Sequence, residues 1–218
     1  MEQLTRAWDW SKNKDKHWII PSEESYYLLN RWKDKKFNKF LDLGCGLGRH
    51  SILFARNGFN VDSVDLSELA VDMLNNWANK EKLNLKAKVS NMMDLPFSDN
   101  YFDCLLAYHV ISHTDSKGIV QVLLEIKRVL KENGEFYLTL CSKQGLNFDD
   151  SELVKLDENT IVKTEEGPEQ GIPHFFVNDD DIKAVFKDFK LITVRQVQDV
   201  IVGGENYNSW HYFILGKK

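Results

Sequence analysis

The stretch from Phe40 to Ser67 constrains this chain more than any other. It reads F-L-D-L-G-C-G-L-G-R-H-S-I-L-F-A-R-N-G-F-N-V-D-S-V-D-L-S. Phe40 to Leu43 is a short apolar run, the pattern of a strand buried on both faces of a parallel sheet. Gly44, Gly46 and Gly48 follow at alternate positions. Leu47, Ile52, Leu53, Phe54 and Ala55 then suit the buried face of a helix, and Asn57-Gly58 supplies its stop signal. Asn60 to Val64 alternates into a second strand that ends at Asp65. The segment predicts one strand–helix–strand unit, with a glycine loop at the helix N-terminus and an acid at the tip of the second strand.

Such a unit suits a nucleoside ligand. Glycines let backbone approach a ligand closely, and an acid at this strand tip accepts hydrogen bonds from ribose hydroxyls. A dinucleotide fingerprint, G-x-G-x-x-G, would need a glycine where Arg49 stands. Here Asp42 lies two residues before the first glycine. A pyrophosphate on a helix N-terminus calls for amides without a nearby carboxylate, whereas Asp42 suits a cationic amino group. S-adenosylmethionine carries such a group, with a ribose and no phosphate.

Asp42-Leu43-Gly44-Cys45-Gly46-Leu47-Gly48 followed by Asp65-Leu66-Ser67 resembles the first motif and the acidic motif of class I S-adenosylmethionine-dependent methyltransferases. The resemblance covers residues 18–141 and fades afterwards. It implies a Rossmann-like α/β fold: a seven-stranded, mostly parallel sheet with helices on both faces and an antiparallel C-terminal strand. It also implies cofactor contacts from Asp42, Gly44, Cys45, Gly46, Gly48, His50, Asp65, Leu66 and Ser67. Further along, Asn91 and the Met92 amide stand where related enzymes meet adenine, and Tyr108 and Val110 where they line the cofactor. Asn91 departs from the commoner acid, although its amide oxygen can still accept from the adenine amine.

The 218 residues suit one domain, 1–218. The net charge of −5 speaks against a nucleic-acid partner. No apolar run reaches the roughly 20 residues a membrane span needs, and the N-terminal residues lack a signal-peptide pattern. Cys45, Cys104 and Cys141 read as reduced thiols of a cytoplasmic protein. Residues 1–34 form an N-terminal segment in which Trp8, Trp10 and Trp18 stand among charges. They either pack outside the core or fold over the cofactor as a lid, as such segments do in the resembled family. Ser22 is the expected cap of a helix to about Asp34.

Ser67 is the expected cap of a helix to about Lys80, with Leu69, Ala70, Met73, Leu74 and Trp77 as its apolar positions. Asp94 is read as holding the Leu95-Pro96 turn. Asp115 or Ser116 caps an amphipathic helix bearing Ile119, Val122, Leu123, Ile126, Val129 and Leu130, which Asn133-Gly134 closes. Residues 142–177 are acid-rich and punctuated by glycine and proline. They read as a hairpin or excursion on the substrate side, and Ile172 to Phe176 returns the chain to the core. Asn178 caps a last helix, and two further strands pair antiparallel around Gly203-Gly204.

Methyl transfer from a sulfonium needs alignment more than covalent help. A base is required only where the acceptor must lose a proton. Tyr108, His109, His113 and His174 are the candidates near the strand tips, with histidine favoured by its near-neutral pKa. No metal-ligand set stands at useful spacing. The expected activity is methyl transfer to a small molecule. The rivals are a non-catalytic cofactor-binding protein and a methyltransferase for a macromolecule. A looser resemblance to tellurite-resistance-type methyltransferases rests on His174 and its neighbours. Neither the acceptor nor the oligomeric state is encoded in a readable motif.

Overall fold

The computed structural model describes residues 7–12, 16–145, 148, 153–164, 166–167, 169–200 and 208–218. The expected turn at Gly203-Gly204 and the excursion acids Asp149, Asp150, Glu152 and Glu165 lie outside the described residues.

The elements follow in chain order as α1 (Glu23–Asp34), β1 (Lys39–Leu43), α2 (Arg49–Arg56), β2 (Asn60–Asp65), α3 (Glu68–Glu81), β3 (Leu85–Val89), β4 (Phe102–Ala107), α4 (Ser116–Val129), β5 (Leu130–Ser142), β6 (Val154–Asp157), β7 (Thr160–Val162), β8 (Pro173–Val177), α5 (Asp179–Val185), β9 (Lys190–Val200) and β10 (Asn208–Lys217). Strands β3-β2-β1-β4-β5 are parallel neighbours. β10 runs antiparallel against β5, and β9 antiparallel against β10. These seven strands are the expected sheet.

The excursion adds to that sheet. β8 pairs with β5 only at Cys141↔Phe176 and Ser142↔Val177, beyond the end of β4. β7 and β6 extend from it as an antiparallel hairpin, as expected of residues 142–177. The extension therefore stands at the carboxyl ends of the parallel strands, the end where open α/β sheets bind ligands.

Alternation along the strands builds two cores. Leu41, Leu43, Leu105, Phe136 and Leu138 face α4 and α5 with Ile119, Val122, Ile126 and Ile182. Phe40, Cys104, Leu106 and Tyr137 face α1, α2 and α3 with Leu28, Trp32, Phe54 and Leu74. Burying each of these side chains contributes about 1.5–3 kcal/mol. One buried acid ties α1 to the sheet. Glu135 accepts from Arg31 Nε and Nη2, both at 2.8 Å, and from Trp32 Nε1 at 3.0 Å. Burial pushes the Glu135 carboxyl up, but the Arg31 bonds more than offset this and its pKa lies below the usual value.

Three local expectations need correction. The buried face of α3 is Ala70, Val71, Leu74 and Ala78, while Leu69 and Met73 are about half exposed. The apolar set had been centred about one residue early around the helix. Asp94 does not hold its turn: the Leu95 amide donates to Glu125 Oε2 at 2.7 Å, and Asp94 is exposed. Ser22 does precede α1, but its side chain makes no cap bond. Its amide donates to His50 Nε2 at 3.2 Å instead. Ser67, Asp115 and Asn178 cap as expected.

Candidate active site

The glycine loop forms the floor of a cleft lined also by Trp8, Trp10, Trp18, Asp65 and Tyr108. The Gly44 and Cys45 amides donate to Val64 O at 2.8 and 3.0 Å, which fixes the loop on the end of β2. Gly44 and Gly46 take left-handed φ values of +69° and +50°. A Cβ at Gly44 would meet Val110 at 2.2 Å, and one at Gly46 would meet the Trp10 indole at 2.5 Å. Both positions need glycine for conformation and for space.

Asp65 organises the loop as well as facing the cleft. Its Oδ2 accepts from the Gly46 amide at 2.8 Å and its Oδ1 from the Ser67 amide at 2.9 Å. Burial pushes its pKa up. Each carboxylate oxygen has a second acceptor site, so ribose hydroxyls can still be taken. Asp42 is placed differently from the sequence reading. It does not line the cleft but lies buried beneath it, accepting from Ser51 Oγ at 2.5 Å. Burial raises its pKa to about 6.

The N-terminal segment roofs the cleft. Trp8, Trp10 and Trp18 all line it. Trp8 stacks on Trp10 at 5.6 Å, and Trp18 meets both edge-on at 5.3 and 5.7 Å. Arg49 is buried under this roof, 5.0 Å from the Trp18 ring and 5.4 Å from the Tyr108 ring. The sequence alone does not place Arg49 at the cleft. The indole Nε1 atoms of Trp8 and Trp10 are buried and have no hydrogen-bond partner. Two unsatisfied donors beside a glycine loop and a carboxylate fit a ligand that brings its own acceptors, such as the carboxylate and hydroxyls of S-adenosylmethionine.

The far wall comes from the tip of β4. Tyr108, His109, Val110 and His113 line the cleft. The Tyr108 hydroxyl donates to Glu24 Oε2 at 3.3 Å, and burial holds its proton far more tightly than usual, so it is unsuited to act as a base. His109 has φ +53°. Its amide donates to Thr139 Oγ1 at 2.7 Å, and its Nδ1 lies 3.2 Å from the same atom. Burial keeps His109 neutral, as does the His211 ring 4.4 Å away. His113 is pushed down to about 3 by burial and by His174. His50 lines the cleft as expected, but its Nε2 is already taken by Ser22.

The structure brings Gly44, Cys45, Gly46, His50, Asp65, Tyr108, Val110, His109 and His113 around one cleft. Gly48, Leu66, Ser67, Asn91 and Met92 stand outside its lining. Ser67 caps α3, Met92 is buried in the core, and the Asn91 amide oxygen accepts from the Met93 amide at 3.0 Å. His174 is buried behind His113, ring centres 4.8 Å apart, and does not reach the cleft. His113, His174 and Glu169 converge into a set that could ligate a metal. The sequence reading found no such set, because the three residues come from two segments far apart in the chain.

A parallel sheet closed by an antiparallel strand, with a glycine loop and an acid at the tip of β2, defines the class I methyltransferase fold. Residues 41–138, a little under half of the chain, match the family described as a methyltransferase domain. It is 34% identical over 120 residues to a sterol 24-C-methyltransferase of Gibberella zeae, covering 53% of this chain and 30% of that one. It is 25% identical over 139 residues to a ubiquinone biosynthesis O-methyltransferase of Rickettsia canadensis, covering 61% and 57%. The chain thus spans well under two thirds of these relatives. A SAM-dependent methyltransferase from Methanosarcina mazei has the same fold, with a TM-score of 0.66, 22% identity and coverage of 84% and 92%.

Proposed function

We propose that this protein transfers a methyl group from S-adenosylmethionine to a small-molecule acceptor by in-line displacement. The observation that carries this reading is a single cleft floored by Gly44, Gly46 and Asp65, roofed by three tryptophans and walled by His109 and His113. The two named relatives, a sterol and a ubiquinone-pathway methyltransferase, act on small molecules by their names. The net charge of −5 and the acid-rich excursion oppose a polyanionic substrate.

Bound S-adenosylmethionine supplies a methyl carbon on a cationic sulfur whose departure needs no protonation. The chain's own residues do the rest. Asp65 accepts from the ribose hydroxyls, and the loop backbone lets the cofactor lie close. The tryptophan roof excludes water and favours alignment, which is worth about 7 kcal/mol or more in well-oriented systems. His109 faces the cleft and is kept neutral by burial, which also weakens it as a base, so its ring shapes the wall beside the acceptor. Tyr108 stays protonated and shapes the wall.

The test is a thermal-shift and calorimetric titration with S-adenosylmethionine and S-adenosylhomocysteine, using wild type and Asp65→Ala. Ligand at about 100 times its Kd stabilises by about 2.7 kcal/mol, or several degrees in Tm. A saturable shift that Asp65→Ala loses supports the reading. Folded, ligand-stripped protein that shifts with neither compound sinks it. Release of S-adenosylhomocysteine across a panel of hydroxyl, thiol and amine acceptors then identifies the substrate and separates an enzyme from a binding protein.

A further inference from the structure

Beside the cleft, the tip of β4 and the segment entering β8 bring together three donors that the methyl transfer does not require. His113, Glu169 and His174 each place one ligand atom within 4.8 Å of the other two. Glu169 Oε1 lies 3.5 Å from His174 Nε2 and 3.9 Å from His113 Nε2. These are long for hydrogen bonds. His174 is only 3% exposed, yet its Nε2 is buried without a hydrogen-bond partner. A buried ring nitrogen left unpaired carries a penalty, and it calls for an explanation.

The surroundings orient this nitrogen as a ligand. His174 Nδ1 lies 3.0 Å from Ile172 O. A carbonyl only accepts, so Nδ1 carries a hydrogen, and Nε2 is the ring nitrogen turned towards Glu169. Metal-bound histidines are held in the same way by a backbone carbonyl on the other ring nitrogen. The other carboxylate oxygen of Glu169 is paired with Lys163, which fixes the carboxylate. Two donors about 2.0–2.1 Å from one tetrahedral ion stand about 3.3 Å apart. The His174–Glu169 pair is already near that spacing, and a turn of the His113 ring on the cleft wall makes up the rest.

We propose that His113, Glu169 and His174 form a binding site for a divalent first-row cation of the zinc type, with its fourth position open to the cleft. Two imidazoles and one carboxylate are a donor set of zinc sites that keep an exchangeable position. Magnesium and calcium prefer oxygen donors throughout. Because His113 also lines the cleft, the open position takes an oxygen or sulfur of the acceptor. Coordination there lowers the pKa of that atom. This second role rests on the methyl-transfer reading, whereas cation binding itself does not.

The experiment titrates chelator-stripped full-length protein with zinc chloride by calorimetry and reads S-adenosylhomocysteine binding in the same samples. The expected result is one zinc per chain. Glu169→Gln and His174→Ala each weaken it by about 100-fold or more, since even an outer partner of a ligand is worth 10- to 100-fold. Cobalt(II) in place of zinc should give the visible absorption of a low-coordinate site, and this should be absent in Glu169→Gln. S-adenosylhomocysteine affinity should stay within about threefold in both variants, because neither residue lines the cleft. That control reports an intact fold. Wild type that binds zinc but not S-adenosylhomocysteine keeps the metal site and removes the methyl-transfer reading. Absence of stoichiometric zinc binding overturns the site, and so does zinc binding unchanged in Glu169→Gln and His174→Ala.

Discussion

The two ends of the cleft are built by opposite means. The cofactor end is contiguous in the chain: loop, acid and cap all fall between Asp42 and Ser67, and short backbone bonds hold them together. The end proposed to take the acceptor is assembled from the tip of β4, the end of β5 and the return into β8. Ser112 is the stitch, its Oγ accepting from the Cys141 amide at 3.1 Å and its carbonyl from the Phe175 amide at 2.8 Å. A contiguous end tolerates little variation because each residue bonds its neighbours. An assembled end can exchange side chains while the sheet stays intact, which is how one fold serves many acceptors.

The sharpest way to break this contrast is Gly44→Ala. The new Cβ would stand 2.2 Å from Val110 in a residue at φ +69°. Left-handed strain costs about 1–2 kcal/mol and overpacking about 1–3 kcal/mol. Urea unfolding should show a loss of about 2–5 kcal/mol, with S-adenosylhomocysteine binding weakened by about tenfold or more. A variant as stable and as tight-binding as wild type would mean that the loop is not the rigid end.

Legibility in the sequence follows the same division. The strand–helix–strand unit and its acid could be read because every partner lies within one stretch with a strict pattern. The core stripe of α4 was equally plain: Ile119, Val122, Leu123, Ile126 and Val129 are all buried. Arg49 was missed as a cleft residue, since nothing local says that a tryptophan roof will bury its charge. The Glu169–His174 pair was missed because its third member, His113, arrives through β-sheet pairing. His174 itself was singled out as a candidate base, yet it lies behind His113 and outside the cleft lining. Asp42 was read as a partner for the cofactor's amino group, and its depth beneath the loop became visible only with Ser51 and Ser63 in place.

Asp42 gives the next effect in size, as a pH dependence. Its pKa in the fold is about 6, against 3.8 unperturbed. The fold therefore favours the protonated acid. That contribution is fully present below pH 3.8 and is lost as pH rises through 6. Relative to Asp42→Asn, wild-type unfolding free energy should fall by about 2 kcal/mol between pH 4.5 and 7. Urea melts of both proteins at four pH values measure it. Parallel curves would place the Asp42 carboxyl in solvent contact, and the cofactor end would then be less buried than its bonds imply.

The roof should matter less than the floor. Trp10→Ala removes a ring packed against Gly46 and leaves the loop bonds in place. The lost contact area corresponds to about 1–2 kcal/mol, so S-adenosylhomocysteine affinity should drop about tenfold. Zinc affinity at the opposite end should not move. Calorimetry of both ligands on one preparation compares the ends directly, and a larger zinc effect would show that the tryptophan roof organises the acceptor end instead.

The smallest effect is expected outside the cleft lining, at the turn after β3. A local reading gave this turn to Asp94. In the fold its support is remote: Glu125 on α4 accepts from the Leu95 amide at 2.7 Å, and Arg128 Nη2 donates to Leu95 O at 2.9 Å while bonding Glu125. The Asp94 side chain is exposed, and what it contributes to the turn is backbone, through its amide to Asn91 O and its carbonyl to Ser90 Oγ. Both bonds survive Asp94→Asn. Stability and S-adenosylhomocysteine affinity should therefore change by less than about 0.5 kcal/mol. A clear loss of binding with unchanged stability would put Asp94 in contact with the ligand, and the contiguous cofactor end would then extend past β3.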